Sequence, residues 1–314
     1  MRPRWNHRGW SFALAISLLA ATACGSADPA TTPTSGPSDP PAEPTRRILV
    51  GRALEPDVVG HFQMAADGSG ETWFGPDRDF EVRQLSPDGS SLAVVAMSDA
   101  GVLVGGTVAV DGTGFELFDA QDRSLHLACG VWASNGRMAC EGWDDSDPAR
   151  SGIYTVRASD GTALRRLTES RDVPCDYSPD GTQLAFVRTG DDDAVGTLMV
   201  MDADGGTPHF LAPNIALSGI ACDWSPDGQT IVAGSTDGAL LMVSPEGEGT
   251  PLSGDGIDGY AWGAAWSPDG ARLLFSMVPA GGDASAAFIA ARDGSDLVRI
   301  TDPGDYEEAD AWLA

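Results

Sequence analysis

Residues 175–205 read CDYSPDGTQLAFVRTGDDDAVGTLMVMDADG. In Ser178-Pro179-Asp180-Gly181 the proline presets φ at the second turn position, the aspartate accepts local backbone N–H groups, and the glycine takes a conformation other residues resist. LAFVR at 184–188 and TLMVMD at 197–202 are short strand-forming runs, and Asp204-Gly205 marks a second turn. The stretch therefore reads as an antiparallel ribbon. An apolar strand ending in Tyr177 precedes the first turn, and RRLT at 165–168 is the last strand of the unit before it.

The unit recurs. Ser-Pro-Asp-Gly begins at Ser86, Ser178, Ser225 and Ser267, with gaps of 92, 47 and 42 residues. The long gap contains Trp132-Ala133-Ser134-Asn135-Gly136, a degraded copy whose Ala133 divides it into 47 and 45. An Asp-Gly or Glu-Gly turn alternates with these, at Gly68, Gly112, Gly161, Gly205, Gly247 and Gly294. Self-similarity at such a period marks an array of supersecondary units, each unable to bury its apolar face alone.

These motifs resemble the PD40, or WD40-like, repeats of the TolB-type β-propellers over roughly residues 46–313. The resemblance implies an all-β fold, a six-bladed β-propeller of four-stranded blades. TolB carries an additional amino-terminal domain whose place is taken here by a linker, so TolB's own partners do not transfer. ILVGR at 48–52, HFQMAA at 61–66 and ETWF at 71–74 match the second to fourth strands of a blade that lacks its first. Asp310-Ala311-Trp312 aligns with Cys222-Asp223-Trp224 and supplies the missing strand, which closes the ring by pairing the carboxyl-terminal strand with the amino-terminal ones. Trp132, Tyr177, Trp224 and Trp266, each just before a turn, read as wedges between blades.

Outside this body the chain carries an address. Arg2, Arg4 and Arg8 precede the twelve-residue apolar run WSFALAISLLAA at 10–21, too short to span a bilayer, so residues 1–23 read as a signal peptide. Ala21-Thr22-Ala23-Cys24 resembles a bacterial lipobox, which implies lipidation of Cys24 and an exported lipoprotein; Ala21 stands where leucine is usual, and Ala-Thr-Ala also fits ordinary secretion. Residues 24–45, with six prolines and few apolar side chains, form an extended tether. The expected location is the outer face of the cell membrane, with simple secretion as the alternative.

Composition narrows the chemistry. There are 46 acidic residues against 19 basic ones, all arginine, for a formal charge of −27. The absence of lysine excludes Schiff-base and P-loop lysine chemistry, and the charge argues against nucleic acid as a partner. No G-x-S-x-G occurs, and no H-x-H or H-E-x-x-H pair could hold zinc. No cofactor is expected.

Five cysteines remain to be placed in an exported chain. Counting outward from Ser134-Asn135 puts Cys129 opposite Cys140 on adjacent strands, where a disulfide is allowed. Cys175 and Cys222 each stand three residues before a turn serine, equivalent sites that either bond or remain a buried thiol pair.

The Ser-Pro-Asp-Gly and Asp-Gly turns share one face of the ring. The opposite face carries variable loops, several of them acidic: Asp144, Asp145 and Asp147; Asp191, Asp192 and Asp193; Asp283; Asp305, Glu307 and Glu308, with Trp143, Tyr260 and Tyr306 nearby. Variable loops on a rigid scaffold are where function concentrates. The expected function is a monomeric, non-catalytic binding or scaffold propeller, whose partner is an envelope protein or basic polypeptide, or a divalent cation drawn into an acidic funnel. The alternative is a propeller enzyme, a metal-dependent lactonase or hydrolase or a lyase, using loop carboxylates at the channel mouth.

Overall fold

The computed structural model describes residues 46–55, 58–76, 78–119, 122–190, 195–217, 222–302 and 307–313. Cys24, Asp191, Asp192, Asp193 and Tyr306 lie outside them. Among the described residues the structure is all β, the one helical segment being the 3-10 turn Pro148–Arg150.

In chain order, the first four-stranded unit comprises Glu81–Leu85, Ser91–Met97, Leu103–Ala109 and Glu116–Leu117. The second comprises His126–Trp132, Arg137–Trp143, Gly152–Arg157 and Arg165–Arg166, and a single parallel bridge, Val104 to Leu127, joins it to the first. The third comprises Asp172–Tyr177, Gln183–Thr189, Val195–Asp202 and His209–Ala216; the fourth Cys222–Trp224, Ile231–Gly234, Leu240–Val243 and Gly249–Pro251; the fifth Gly259–Trp266, Arg272–Pro279, Ala286–Ala291 and Val298–Arg299. A further sheet is shared between the two ends of the described chain. Its order is Glu307–Leu313, Arg47–Glu55, Val58–Ala65, Thr72–Phe74, with Ile48 opposite Trp312 and Leu49 opposite Ala311.

The core lies between sheets. Leu49, Phe74 and Leu313 of the shared sheet pack on Leu92, Val94 and Val108 of the first. Ile48, Val50 and Trp312 pack on Leu274, Ala287 and Ile289 of the fifth. The shared sheet thus packs on both the first sheet and the fifth. Tyr177, Trp224, Trp266 and Trp312 are buried in four different inter-sheet clusters, as wedges should be, whereas Trp132 is only half-buried against the cluster that holds Ala93 of the first sheet.

The turns explain why the motif repeats. Ser178 Oγ donates to Asp180 Oδ1 at 2.6 Å, Thr182 N–H donates to the same oxygen at 3.0 Å, and Gln183 N–H donates back to Ser178 Oγ at 3.0 Å. Gly181 has φ +71°, the left-handed value that disfavours a side chain. The same serine-to-aspartate bond recurs at Asp88, Asp227 and Asp269, and the serine hydroxyl pulls Asp88 and Asp227 down to about 2. These aspartates have turn work to do.

Because strands alternate in direction, the connections between second and third strands, and those between sheets, fall on the face opposite these turns.

Candidate functional site

Two residues before three of the turn serines stand polar side chains, Gln84, Asp176 and Asp223, that reach from one sheet to another. Gln84 of the first sheet donates from Nε2 to Asp176 Oδ1 of the third at 2.6 Å, reaching past the second sheet. Each also fastens the sheet after its own: Trp132 N–H donates to Gln84 Oε1 at 2.8 Å, Trp224 N–H to Asp176 Oδ2 at 2.9 Å, and Trp266 N–H to Asp223 Oδ2 at 2.6 Å. Asp176 and Asp223 are hydrogen-bonded to each other.

Two carboxyl groups in contact do not both ionise. Burial pushes Asp176 up to about 6, against the bonds from Trp224 N–H and Gln84. Asp223, enclosed by protein although still touching solvent, is pushed well above the carboxylate range by burial and by the charge of Asp176. Both Asp176 oxygens accept from Gln84 and Trp224, so the shared proton resides on Asp223 and is donated to Asp176.

A third carboxyl group belongs to the second sheet. Glu141 stands on the second strand of the second sheet, opposite Ala128 of the inner strand. Burial pushes it up to about 7, opposed by the Arg83 and Arg171 guanidinium groups. A Cβ at Gly130 would fall 2.6 Å from Arg83 Cγ, so a small residue there makes room for the arginine stem.

In the shared sheet His61 is 3% exposed and uses both ring nitrogens: Nδ1 meets Asp310 Oδ2 at 2.8 Å and Nε2 donates to Phe80 O at 2.9 Å. Gly51 lies between the two strands, and a Cβ on it would approach Asp310 Oδ1 to 3.2 Å. Burial depresses the imidazole, but Asp310, the Phe80 carbonyl and the field of Glu308 outweigh it and leave His61 raised.

The loop carboxylates divide into inward and outward groups. Asp144 is buried: Oδ1 accepts from Ser146 N–H and Oγ, and Oδ2 from Arg150 Nη1 at 2.7 Å. Those bonds hold it far below the usual range. Arg150 also reaches Asp122 Oδ2 at 2.6 Å. Glu307 is buried against Arg52, which also pairs with Glu71; burial raises Glu307 while Arg52 opposes the rise. Glu308 is half-buried opposite Gly51. Asp145 and Asp147 are exposed. Asp145 lies 3.4 Å from His126 Nε2, and the His126 ring stacks on Trp143 with centroids 4.7 Å apart. Asp147 caps the short 3-10 turn through Ala149 N–H. Tyr260 lies over Gly238 at the start of the fifth sheet's inner strand and is 38% exposed. The expected acidic funnel is therefore partly neutralised, because Arg150 and Arg52 turn Asp144 and Glu307 inward. Among the described residues no group of three His, Cys, Asp or Glu is placed to hold a metal ion.

Cys129 and Cys140, opposite one another in the second sheet, are joined by a disulfide. Cys175 and Cys222 are free and buried.

Sequence reasoning passed over Gln84, Asp176 and Asp223. Their signal was a polar residue at the same offset from three turns. His61, Glu141 and Asp310 left no such periodic trace.

No known family signature matches the sequence, and no curated protein matches it. Solved structures do resemble it. A protein assigned as TolB from Agrobacterium tumefaciens superposes with a TM-score of 0.56 at 19% identity, over 85% of this chain and 92% of that one. TolB from Acinetobacter baumannii gives 0.60 at 16% identity, over 86% of this chain but 65% of the other. An oligogalacturonate lyase in complex with manganese gives 0.53 at 15% identity, over 81% and 73%. The fold is a TolB-like β-propeller, and likeness at these identities extends to the fold alone.

Proposed function

We propose that this protein is a binding propeller displayed outside a bacterial cell membrane on a lipid attached to Cys24, and that it receives a positively charged polypeptide on its loop face. The observation that carries the binding reading is the use made of the polar groups that join the sheets. Gln84, Asp176 and Asp223 bond to one another and to backbone N–H groups of following sheets, so they act as fasteners. Contact with a partner then falls to the loops, where Asp145 and Asp147 stay exposed on a chain of net charge −27. The Cys129–Cys140 disulfide suits an oxidising compartment and supports export.

Titration calorimetry of the full chain with an oligoarginine peptide, at low and high salt, tests the partner. Binding should weaken as salt shortens the Debye length to about 8 Å and below, and weaken again in Asp145→Asn/Asp147→Asn. No binding at low salt, or affinity indifferent to both changes, removes the reading. Detergent phase partitioning tests the anchor: the protein should enter the detergent phase and Cys24→Ala should not, whereas equal aqueous recovery rules lipidation out.

One observation favours a second reading, an enzyme. Asp176 at about 6 beside a protonated Asp223 suits general acid–base work, and an oligogalacturonate lyase shares the fold. Incubation with oligogalacturonate and manganese, followed by absorbance of unsaturated product, tests it; no product retires that reaction.

A further inference from the structure

The two free cysteines are not placed as their repeat positions imply. Tyr177 and Trp224 are equivalent, and each faces the sheet before its own: Tyr177 packs with Val131 and Ala139 of the second sheet, and Trp224 with Leu198 and Val200 of the third. Strand alternation should turn Cys175 and Cys222, two residues earlier, the same way. Cys222 obeys and lies in the interface between third and fourth sheets. Cys175 does not, because the strand carries a bulge: Pro174 pairs with Phe186 and Asp176 with Ala185, leaving Cys175 as the extra residue. Its side chain is thrown to the other face and enters the same interface as Cys222. Both thiols thus belong to one buried cluster between the two sheets, where burial, with Cys175 beside it, pushes the Cys222 thiol up.

They differ in access. Cys222 is 1% exposed and Cys175 is 8% exposed. Cys175 is thus the more exposed residue of the two.

We propose that Cys175 and Cys222 form a redox-active dithiol that closes into a disulfide between the third and fourth sheets by exchange with an external disulfide. In the first step the Cys175 sulfur attacks one sulfur of that disulfide. The external S–S bond breaks, and the leaving thiolate takes the proton given up by Cys175. In the second step the Cys222 sulfur attacks Cys175 in the mixed disulfide, whose S–S bond breaks; the second external thiolate departs with the Cys222 proton. Two protein thiols are oxidised by two electrons, and one external disulfide is reduced to two thiols. Cys175 and Cys222 immediately precede Asp176 and Asp223, so closure fixes the spacing of the acid pair.

The test uses the full chain with oxidised glutathione, alkylation of remaining thiols and non-reducing tryptic mapping. Trypsin places Cys175 in peptide 172–188 and Cys222 in peptide 189–272, because no arginine or lysine lies between Arg188 and Arg272. Wild type should yield these two peptides linked, with loss of two hydrogens and reversal by dithiothreitol. Cys222→Ser should instead retain glutathione on Cys175, which checks the order of attack without requiring the bridge. Wild type that keeps both thiols alkylatable while folded, or that accumulates glutathione on Cys175 without linking the peptides, overturns the proposal. Glutathione appearing on Cys222 before Cys175 overturns it equally.

Discussion

Replacing Asp223 with asparagine should remove a pH dependence from the stability of this protein. In the folded chain burial and the neighbouring Asp176 charge keep the proton on Asp223, whereas in the unfolded chain the group ionises near 3.8. A carboxyl group whose folded pKa is raised stabilises the fold fully below its unfolded value, and that stability is lost as pH rises towards the folded value. One proton held by the folded state alone corresponds to about 1.4 kcal/mol for each pH unit between the unfolded and the folded value. Asparagine keeps an oxygen for Trp266 N–H and an N–H for Asp176, and has no proton to lose. Asp176 ionises beside a neutral neighbour in both proteins, so its own contribution cancels in the difference. Urea unfolding at several pH values, followed by tryptophan fluorescence, should show Asp223→Asn gaining on wild type as pH rises. In melting temperature the gain is roughly 2–4 °C per kcal/mol for a protein of this size. Parallel stability curves for the two proteins would refute the shared proton.

Three further outcomes are expected. His61→Leu leaves Asp310 buried without its partner and should cost about 3 kcal/mol at pH 6 by urea unfolding. That deficit should narrow at higher pH, since stability from a raised imidazole is complete below about 6.5 and is lost as pH climbs through the folded value. Deleting residues 307–313 strips the shared sheet of its inner strand and bares the edge of Arg47–Glu55, so light scattering should rise at concentrations where the full chain stays clear. Changing Cys129 and Cys140 together to serine should cost about 2 kcal/mol, towards the lower end for a short loop, read as a lower urea midpoint.

The turns and wedges were legible because each is local. Ser178, Asp180 and Gly181 complete their bonds within a few residues, and Trp224 and Trp266 repeat at a fixed offset. The pairing of Ile48 with Trp312 was legible for a different reason: each terminal segment lacked what the other supplied. What escaped depends on partners that only the fold brings together. Nothing near Asp144 in sequence announces that Arg150 will hold it beside Asp122, and Glu307 meets Arg52 from 255 residues away. The facing of Cys175 escaped for a subtler reason, since a one-residue bulge reverses a side chain without leaving any mark on the period of the repeat.

The pairing of Glu307–Leu313 with Arg47–Glu55 also sets an order of events during synthesis. A chain made amino end first has the second, third and fourth strands of the shared sheet available early, yet their neighbour arrives only after the other described sheets. Those can fold locally in the meantime, largely from strands adjacent in sequence. The shared sheet must wait, because its contacts span nearly the whole body and carry the heaviest loop-closure entropy. Its completion therefore follows the synthesis of every other sheet, and the slowest folding step should track the arrival of Trp312 rather than the assembly of any internal sheet.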